Sequence, residues 1–323
     1  ARGGAGQKIL TMNPALSSQP PRAVLMIRPR HFTPNPQTAA DNGFQQPAAA
    51  AEQLCAQART EVGHAAATLK AAGVQVQLFD EPVGADTPDA VFPNNWFSTH
   101  PEGDVALYPM HAPNRRAERR ADVLTWLRRH HRVRRVVDYS GHELEGQFLE
   151  GTGALVLDHR LRTAYMARSQ RASEALLQRF CQDFGFAPFA FDTRGPSDQP
   201  IYHTNVLMCV GQAFALVGLS LLPDAAQAAA LRQSLARGGR TVIELSAEQI
   251  AAFAGNALEL QGRGGPLLAL SARAQQALLP AQREALQALG LRLLPLAVPT
   301  IERAGGSVRC MLAELHLTPL HRS

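Results

Sequence analysis

"YHTNVLMCVG", residues 202–211, sets a histidine and an asparagine two positions apart at the head of an apolar run. Alternation reads the run as a strand, and His203 and Asn205 would then share one face. Two polar side chains on one face of an otherwise buried segment need a destination. The same pattern recurs in "FPNNWFSTH", "FLEGTGALVLD", "FAGNALEL" and "GGSVRCMLAEL". With Asn94, Glu150, His203, Asn256 and Cys310 as markers, the spacings are 56, 53, 53 and 54 residues.

That regularity implies five copies of one unit. Ahead of the markers stands a repeated joint of helix, break and short apolar strand: "AAATLKAAGVQVQLFD", "LTWLRRHHRVRRVVDYS", "ALLQRFCQDFGFAPFAFD", "LRQSLARGGRTVIEL" and "EALQALGLRLLPLAV". Gly73, Gly185, Gly239 and Gly290 close helices where the chain must take positive φ. Ser246 with Gln249 three later predicts a capping box, and Pro280 suits a helix first turn. Five strand–helix–strand units can close into a ring about a pseudo-fivefold axis, on which the polar markers would converge. A doubly wound parallel sheet also alternates helices and strands. However, no phosphate loop or G-x-G-x-x-G is present, and "GRGG" at 262–265 lacks the flanking strand and helix.

The composition narrows the function. Hydrophobic residues make up 46% of 323, enough for a large core. No apolar run approaches the roughly 20 residues that span a bilayer, and no secretory segment precedes a cleavage site. The net charge of +5 rests on arginine, with lysine only at Lys8 and Lys70. The basic run at 114–135 interleaves Glu118 and Asp122 and reads as a solvated helix face, so no nucleic-acid partner is expected. Of the four cysteines, Cys55, Cys181 and Cys209 lie in apolar contexts and read as small buried hydrophobes. Their unpaired spacing fits a reducing cytoplasm and gives no metal-ligand signature. Cys310 differs, ending the polar, glycine-bearing "ERAGGSVRC". Residues 1–20, with no initial Met and a candidate start at Met12, read as a loose segment or added remnant; 21–323 read as a single catalytic domain. A homo-oligomer is left open.

A ring that gathers Glu150, His203 and Cys310 supplies a carboxylate, a base and a nucleophile. Thiolate is the attacking form, histidine can protonate a leaving nitrogen and activate water, and the carboxylate can orient either partner. Pro93 makes "PNNWFSTH" a strand mouth, where Asn94 reads as a substrate-binding amide. Asn256 reads as a structural cap.

As an ordered set, "PNNWFSTH", "LEGTG", "YHTNVLM" and "GGSVRCM" resemble the guanidine-modifying amidinotransferase superfamily, close to its arginine deiminase-related branch of citrulline-utilisation hydrolases. The resemblance runs from "MIRPRHF" to "RCMLAEL". It implies the pentein fold, an α/β five-bladed propeller of ββαβ modules, and a covalent adduct on cysteine. By resemblance Cys310 is the nucleophile, His203 the general acid/base and Glu150 the glutamate on the substrate nitrogen. Asn94 and Phe97 line the pocket, and Arg115 or Arg116 holds the substrate α-carboxylate. Three positions depart from the deiminase pattern. Asn205 and His100 stand where carboxylates grip a guanidinium, and Gly153 replaces the final Asp of "EGGD". A buried guanidinium without paired carboxylates is costly, whereas an amide and an imidazole satisfy a neutral ureido group. The expected reaction is therefore hydrolysis of citrulline to ornithine, ammonia and carbon dioxide on a small amino-acid substrate, with no cofactor. The alternatives are an arginine or methylarginine deiminase, an amidinotransferase, or a non-catalytic ligand-binding pentein.

Overall fold

The apolar runs behind the polar mouths are strands of three to five residues, too short to stand alone. The computed structural model describes residues 19–46, 51–195 and 198–320, and each such strand there is the edge of a three-stranded sheet, paired with its middle strand. Strands β1 (Ala23–Arg28) and β2 (Gln75–Asp80) are parallel, joined through the helix Ala51–Ala71. Three-stranded sheets follow in order: β3 (Phe97–Thr99), β4 (Asp104–Leu107) and β5 (Arg135–Asp138); then β6 (Leu155–Asp158), β7 (Thr163–Ala167) and β8 (Ala187–Phe191). Next come β9 (Met208–Val210), β10 (Phe214–Val217) and β11 (Thr241–Glu244), and β12 (Leu258–Gly262), β13 (Gly265–Ser271) and β14 (Arg292–Leu296). Finally β15 (Ala313–Leu315) returns to β1, pairing Ala23 with Leu315 and Leu25 with Ala313.

Every sheet has one design. A short strand runs antiparallel to the middle strand, and a helical crossover leads to a parallel third strand. The crossover helices bury apolar stripes. Leu54, Ala58, Val62, Ala65 and Leu69, three or four residues apart, cover Val24 and Met26 of β1. Their ends follow the sequence signals. Ser246 and Gln249 form the capping box, and Gly185 ends the helix Glu174–Phe184 at φ 70°. Within the basic run, the helix Ala121–His130 buries Val123 and Leu127, while Arg119 pairs with Glu143 and Arg120 with Asp122. Among the described residues no helix is long and apolar enough to cross a membrane.

Two expectations change here. The loose segment expected at 1–20 falls outside the described residues as far as 18, but Gln19 is buried. Its amide donates to the carbonyls of Leu157 (2.8 Å) and Val210 (3.2 Å), and its oxygen accepts from His159 N (2.9 Å). Gln19 thus links β6 to β9 and belongs to the fold. Cys181 and Cys209 are buried, and burial pushes both thiols up to about 12. Cys55 is only half-buried, because its helix is covered on one face alone.

Candidate active site

Each short strand is entered through a tight turn, and the polar markers sit in those turns. The turns are Pro93–Asn95, Gly151–Ala154, Thr204–Leu207, the bend around Asn256, and Val308–Met311. Pro93 fixes the entry to the first turn. At the second, Gly151 takes φ 47°, and a side chain there would lie 2.3 Å from Asn94 O. Gly153 is equally constrained: an added Cβ would meet Asn95 Nδ2 at 2.2 Å and His203 Nδ1 at 2.7 Å. The aspartate that "EGGD" would place at this position has no room.

Glu150, His203 and Cys310 meet at one buried centre. Glu150 Oε2 lies 2.8 Å from His203 Nε2, and Oε1 accepts from His111 N at 3.0 Å. Arg115 Nη1 and Arg171 Nη1 stand 3.5 and 3.6 Å from the same Oε2. Burial works to raise the Glu150 pKa, but Arg171, the His203 hydrogen bond and Arg115 outweigh it and hold the carboxyl far below its usual range. Burial drives His203 down to about 4 against the pull of Glu150, so its resting ring is neutral. Cys310 Sγ lies 3.5 Å from Asn205 Nδ2 and 3.3 Å from Asn256 Nδ2. The Asn256 amide is oriented by its other contacts: Oδ1 accepts from Arg309 N (3.0 Å), and Nδ2 also donates to Asn205 O (2.9 Å). A thiolate here would keep hydrogen-bond donors after leaving water.

The pocket above this centre is narrow, with a cavity volume of about 10 Å³, and is lined by Asp89, Phe92, Asn95, Arg115, Arg171, Tyr202, His203 and Cys310, with Thr38, Asn42, Ala304 and Gly306. That is room for about one water, so the polar groups close in on one another here. Its two guanidiniums are held firmly. Arg115 is bound by Glu118 (2.8 Å), Asn95 (3.0 Å) and Asp89 (3.5 Å), and Arg171 by Asp41 (2.7 Å) beside the Tyr202 ring. Burial raises Glu118 to about 7 and raises Asp89 as well, despite Arg115 beside each.

Three candidates stand elsewhere. Phe97, in β3, packs against Trp96, ring centroids 4.5 Å apart, within the core cluster that holds Val105 and Leu107 of β4. Phe92 supplies the aromatic wall instead. His100 lies beyond the other end of β3, bonded to Ser98 Oγ (2.9 Å) and packed on Phe184 at 4.4 Å. Six residues from Asn94 carry the chain through the turn and along the whole strand. Arg116 is half-buried and donates to Met110 O (3.2 Å), leaving Arg115 as the pocket guanidinium. Asn94 is fully buried with neither amide atom bonded, and Asn95 Nδ2 likewise lacks a partner.

Sequence reasoning passed over several residues. Asn256 was marked by the period yet read as a cap. Asp89 and Phe92 sit just upstream of "PNNW", and Tyr202 beside His203. Arg171, in "SQRAS", carries no local signal at all.

A family model described as N,N dimethylarginine dimethylhydrolase, eukaryotic, matches residues 28–317. No curated protein sequence matches the chain. Among solved structures, the chain is similar to the substrate-bound N-terminal domain of ArgZ, an arginine dihydrolase from the ornithine-ammonia cycle in Cyanobacteria. The TM-score is 0.69 at 16% identity, over 90% of this chain and 97% of that domain. Against ArgZ in its longer apo form, the TM-score is 0.70 at 16% identity and the match covers 93% of this chain but 41% of the other, so the chain spans about two fifths of that enzyme. A dimethylarginine dimethylaminohydrolase adduct with 4-chloro-2-hydroxymethylpyridine aligns over 91% of this chain and all of its own, at 13% identity and TM-score 0.61. At such identities the likeness is one of fold.

Proposed function

The chain belongs to the N,N dimethylarginine dimethylhydrolase family, and on that premise we propose that it is a cysteine-dependent hydrolase that opens the ureido group of citrulline. One observation carries the choice of substrate. The sulfur is flanked by two neutral amides, Asn205 and Asn256, and every carboxylate lining or backing the pocket already faces an arginine of the chain. A substrate guanidinium would find no uncommitted carboxylate among the described residues, and its burial would be costly. A urea finds a donor and an acceptor in Asn205 and a further donor in the unbonded Asn95 Nδ2, with Asn94 in the same turn.

In this reading the neutral His203 takes the proton from Cys310, and Glu150 steadies the imidazolium so formed. The thiolate attacks the ureido carbon, a C–S bond forms, and pocket amides stabilise the tetrahedral oxyanion. His203 returns its proton to the ornithine nitrogen as the C–N bond breaks. Water, activated by His203, then cleaves the carbamoyl-cysteine, restoring the thiol and releasing carbamate, which falls to ammonia and carbon dioxide. Arg115 and Arg171, the buried guanidiniums of the pocket, hold the substrate carboxylate.

The five sheets are taken as blades of a closed ring within one catalytic domain. Neighbouring units touch in cyclic order, β15 rejoins β1, and side chains of non-neighbouring units meet: the His159 and His316 rings are 4.3 Å apart. Arginine or methylarginine as substrate is the second reading, favoured by the family description and by the substrates in the names of ArgZ and its fold relatives. A panel of citrulline, arginine and methylarginines, scored for ornithine and ammonia, separates them. Citrulline should give both products in equal amounts. Arginine turnover far above citrulline would overturn the neutral-pocket argument.

A further inference from the structure

The period that gathers the catalytic residues also governs what lies at the other end of the short strands. A strand of three to five residues spans roughly 10–16 Å. Directly after three of the five stand histidines: His100 after β3, His159 after β6 and His316 after β15. The turns that carry Glu150, His203 and Cys310 enter the strands, and these histidines leave them. They therefore share the end of the axis opposite the thiol. Their rings approach one another, His159 and His316 at 4.3 Å and His100 and His159 at 6.0 Å.

Glu314, on β15, completes the cluster. One donor atom each from His159, Glu314 and His316 lies within 4.8 Å of the others. We propose that these three side chains bind a divalent transition-metal ion, of which zinc is the best match, at the non-catalytic end of the ring axis. Two imidazoles and one carboxylate are a recognised zinc ligand set. Bonds of about 2.0–2.2 Å around zinc set ligand atoms roughly 3–4 Å apart, so side-chain rotation of about 1 Å closes the set. Both oxygens of Glu314 have defined tasks. Arg309 Nη2 holds Oε1 at 2.5 Å, and Oε2, 3.1 Å from His316 Nε2, is the atom that turns to the ion. Such a bond to the non-ligating oxygen orients the carboxylate.

His159 is buried, and the side chains of Glu314 and His316 are only 10% and 6% exposed, so the ion would be enclosed. The ligands come from strands some 155 residues apart, and for that reason no sequence spacing announces them. The ion would tie the last short strand to the third unit across the axis. Because Arg309 precedes Cys310, the tie would also reach the catalytic turn.

The thiol is a competing zinc ligand, so the test starts from Cys310→Ala. Zinc is titrated into the purified full chain against a chromophoric chelator. Cobalt replaces it for visible spectroscopy, and histidines accessible to diethyl pyrocarbonate are mapped by mass spectrometry with and without zinc. One equivalent should bind at micromolar concentration or tighter, cobalt should give tetrahedral d–d bands, and zinc should protect His316 from modification. Adding His316→Gln should weaken binding at least 30-fold while the circular dichroism spectrum is retained. If Cys310→Ala binds no zinc, or binds it with neither protection nor sensitivity to His316→Gln, the proposal is wrong and the cluster is only an ion pair between Arg309, Glu314 and His316.

Discussion

Asn256→Asp tests whether the amide at the sulfur is chemical or structural. The substitution keeps the shape and leaves Oδ1 to accept from Arg309 N. It replaces the donor 3.3 Å from Cys310 Sγ with a carboxylate oxygen. Two like charges at that separation repel by about 5 kcal/mol at an effective dielectric of 20. Partial protonation of the new carboxylate and rotation of the side chain would absorb about half, leaving about 2–3 kcal/mol against the sulfur anion. Reactions that need the thiolate should slow by about 10²-fold. The assay is iodoacetamide alkylation at neutral pH with peptide mapping, Cys55 serving as the internal reference. Thermal unfolding is recorded in parallel, and citrulline turnover should fall at least as far as alkylation. A cap without chemical duty predicts another outcome: Cys310 alkylated within about two-fold of the parent rate, with any loss confined to stability. That result would refute the proposed thiolate site.

Asn205→Asp should weaken citrulline turnover about tenfold or more and admit guanidinium ligands, read by calorimetric titration of arginine and citrulline; unchanged affinities for both would remove Asn205 from the recognition argument. His203, held at about 4 by burial, should keep the NMR shifts of a neutral ring down to pH 5, assigned by comparison with His203→Asn. Because its folded pKa lies below the unfolded value near 6.5, its contribution of about 3 kcal/mol is full above pH 6.5 and lost as the pH falls toward 4; urea unfolding across that window reads the slope. Gly153→Ala places a methyl 2.7 Å from His203 Nδ1 and should cost about 10²-fold in kcat, with little change in circular dichroism.

The repeated sheet unit was legible because it recurs at nearly constant spacing and because several helices declare their ends, as at Ser246 and Gly185. The centre was legible where a marker has distinctive chemistry, as Cys310 and His203 do. Errors arose where the resemblance was carried position by position through a turn. Pro93–Asn95 forms a 3-10 turn, so strand alternation does not hold across it. Asn95 rather than Phe97 therefore borders the pocket, and β3 delivers His100 to the far end. Arg171 and Asp89 were invisible for another reason. Each gains its place from long-range pairing, Arg171 with Asp41 and Asp89 with Asn35 and Arg115. No local pattern distinguishes one arginine or aspartate from the rest.

The return of β15 to β1 has a consequence for biosynthesis. β1 is apolar and buried through Val24–Ile27, yet one of its two edges waits for a strand made more than 230 residues after β2 ends. At about 5–20 residues per second, a ribosome leaves that edge bare for roughly 12–45 s. An unpaired apolar edge is a template for pairing with other chains. The nascent protein should therefore depend on a holdase through most of its translation. The segment that finally covers the edge is also the one that delivers Cys310, so the proposed nucleophile arrives only when the exposed strand is sealed.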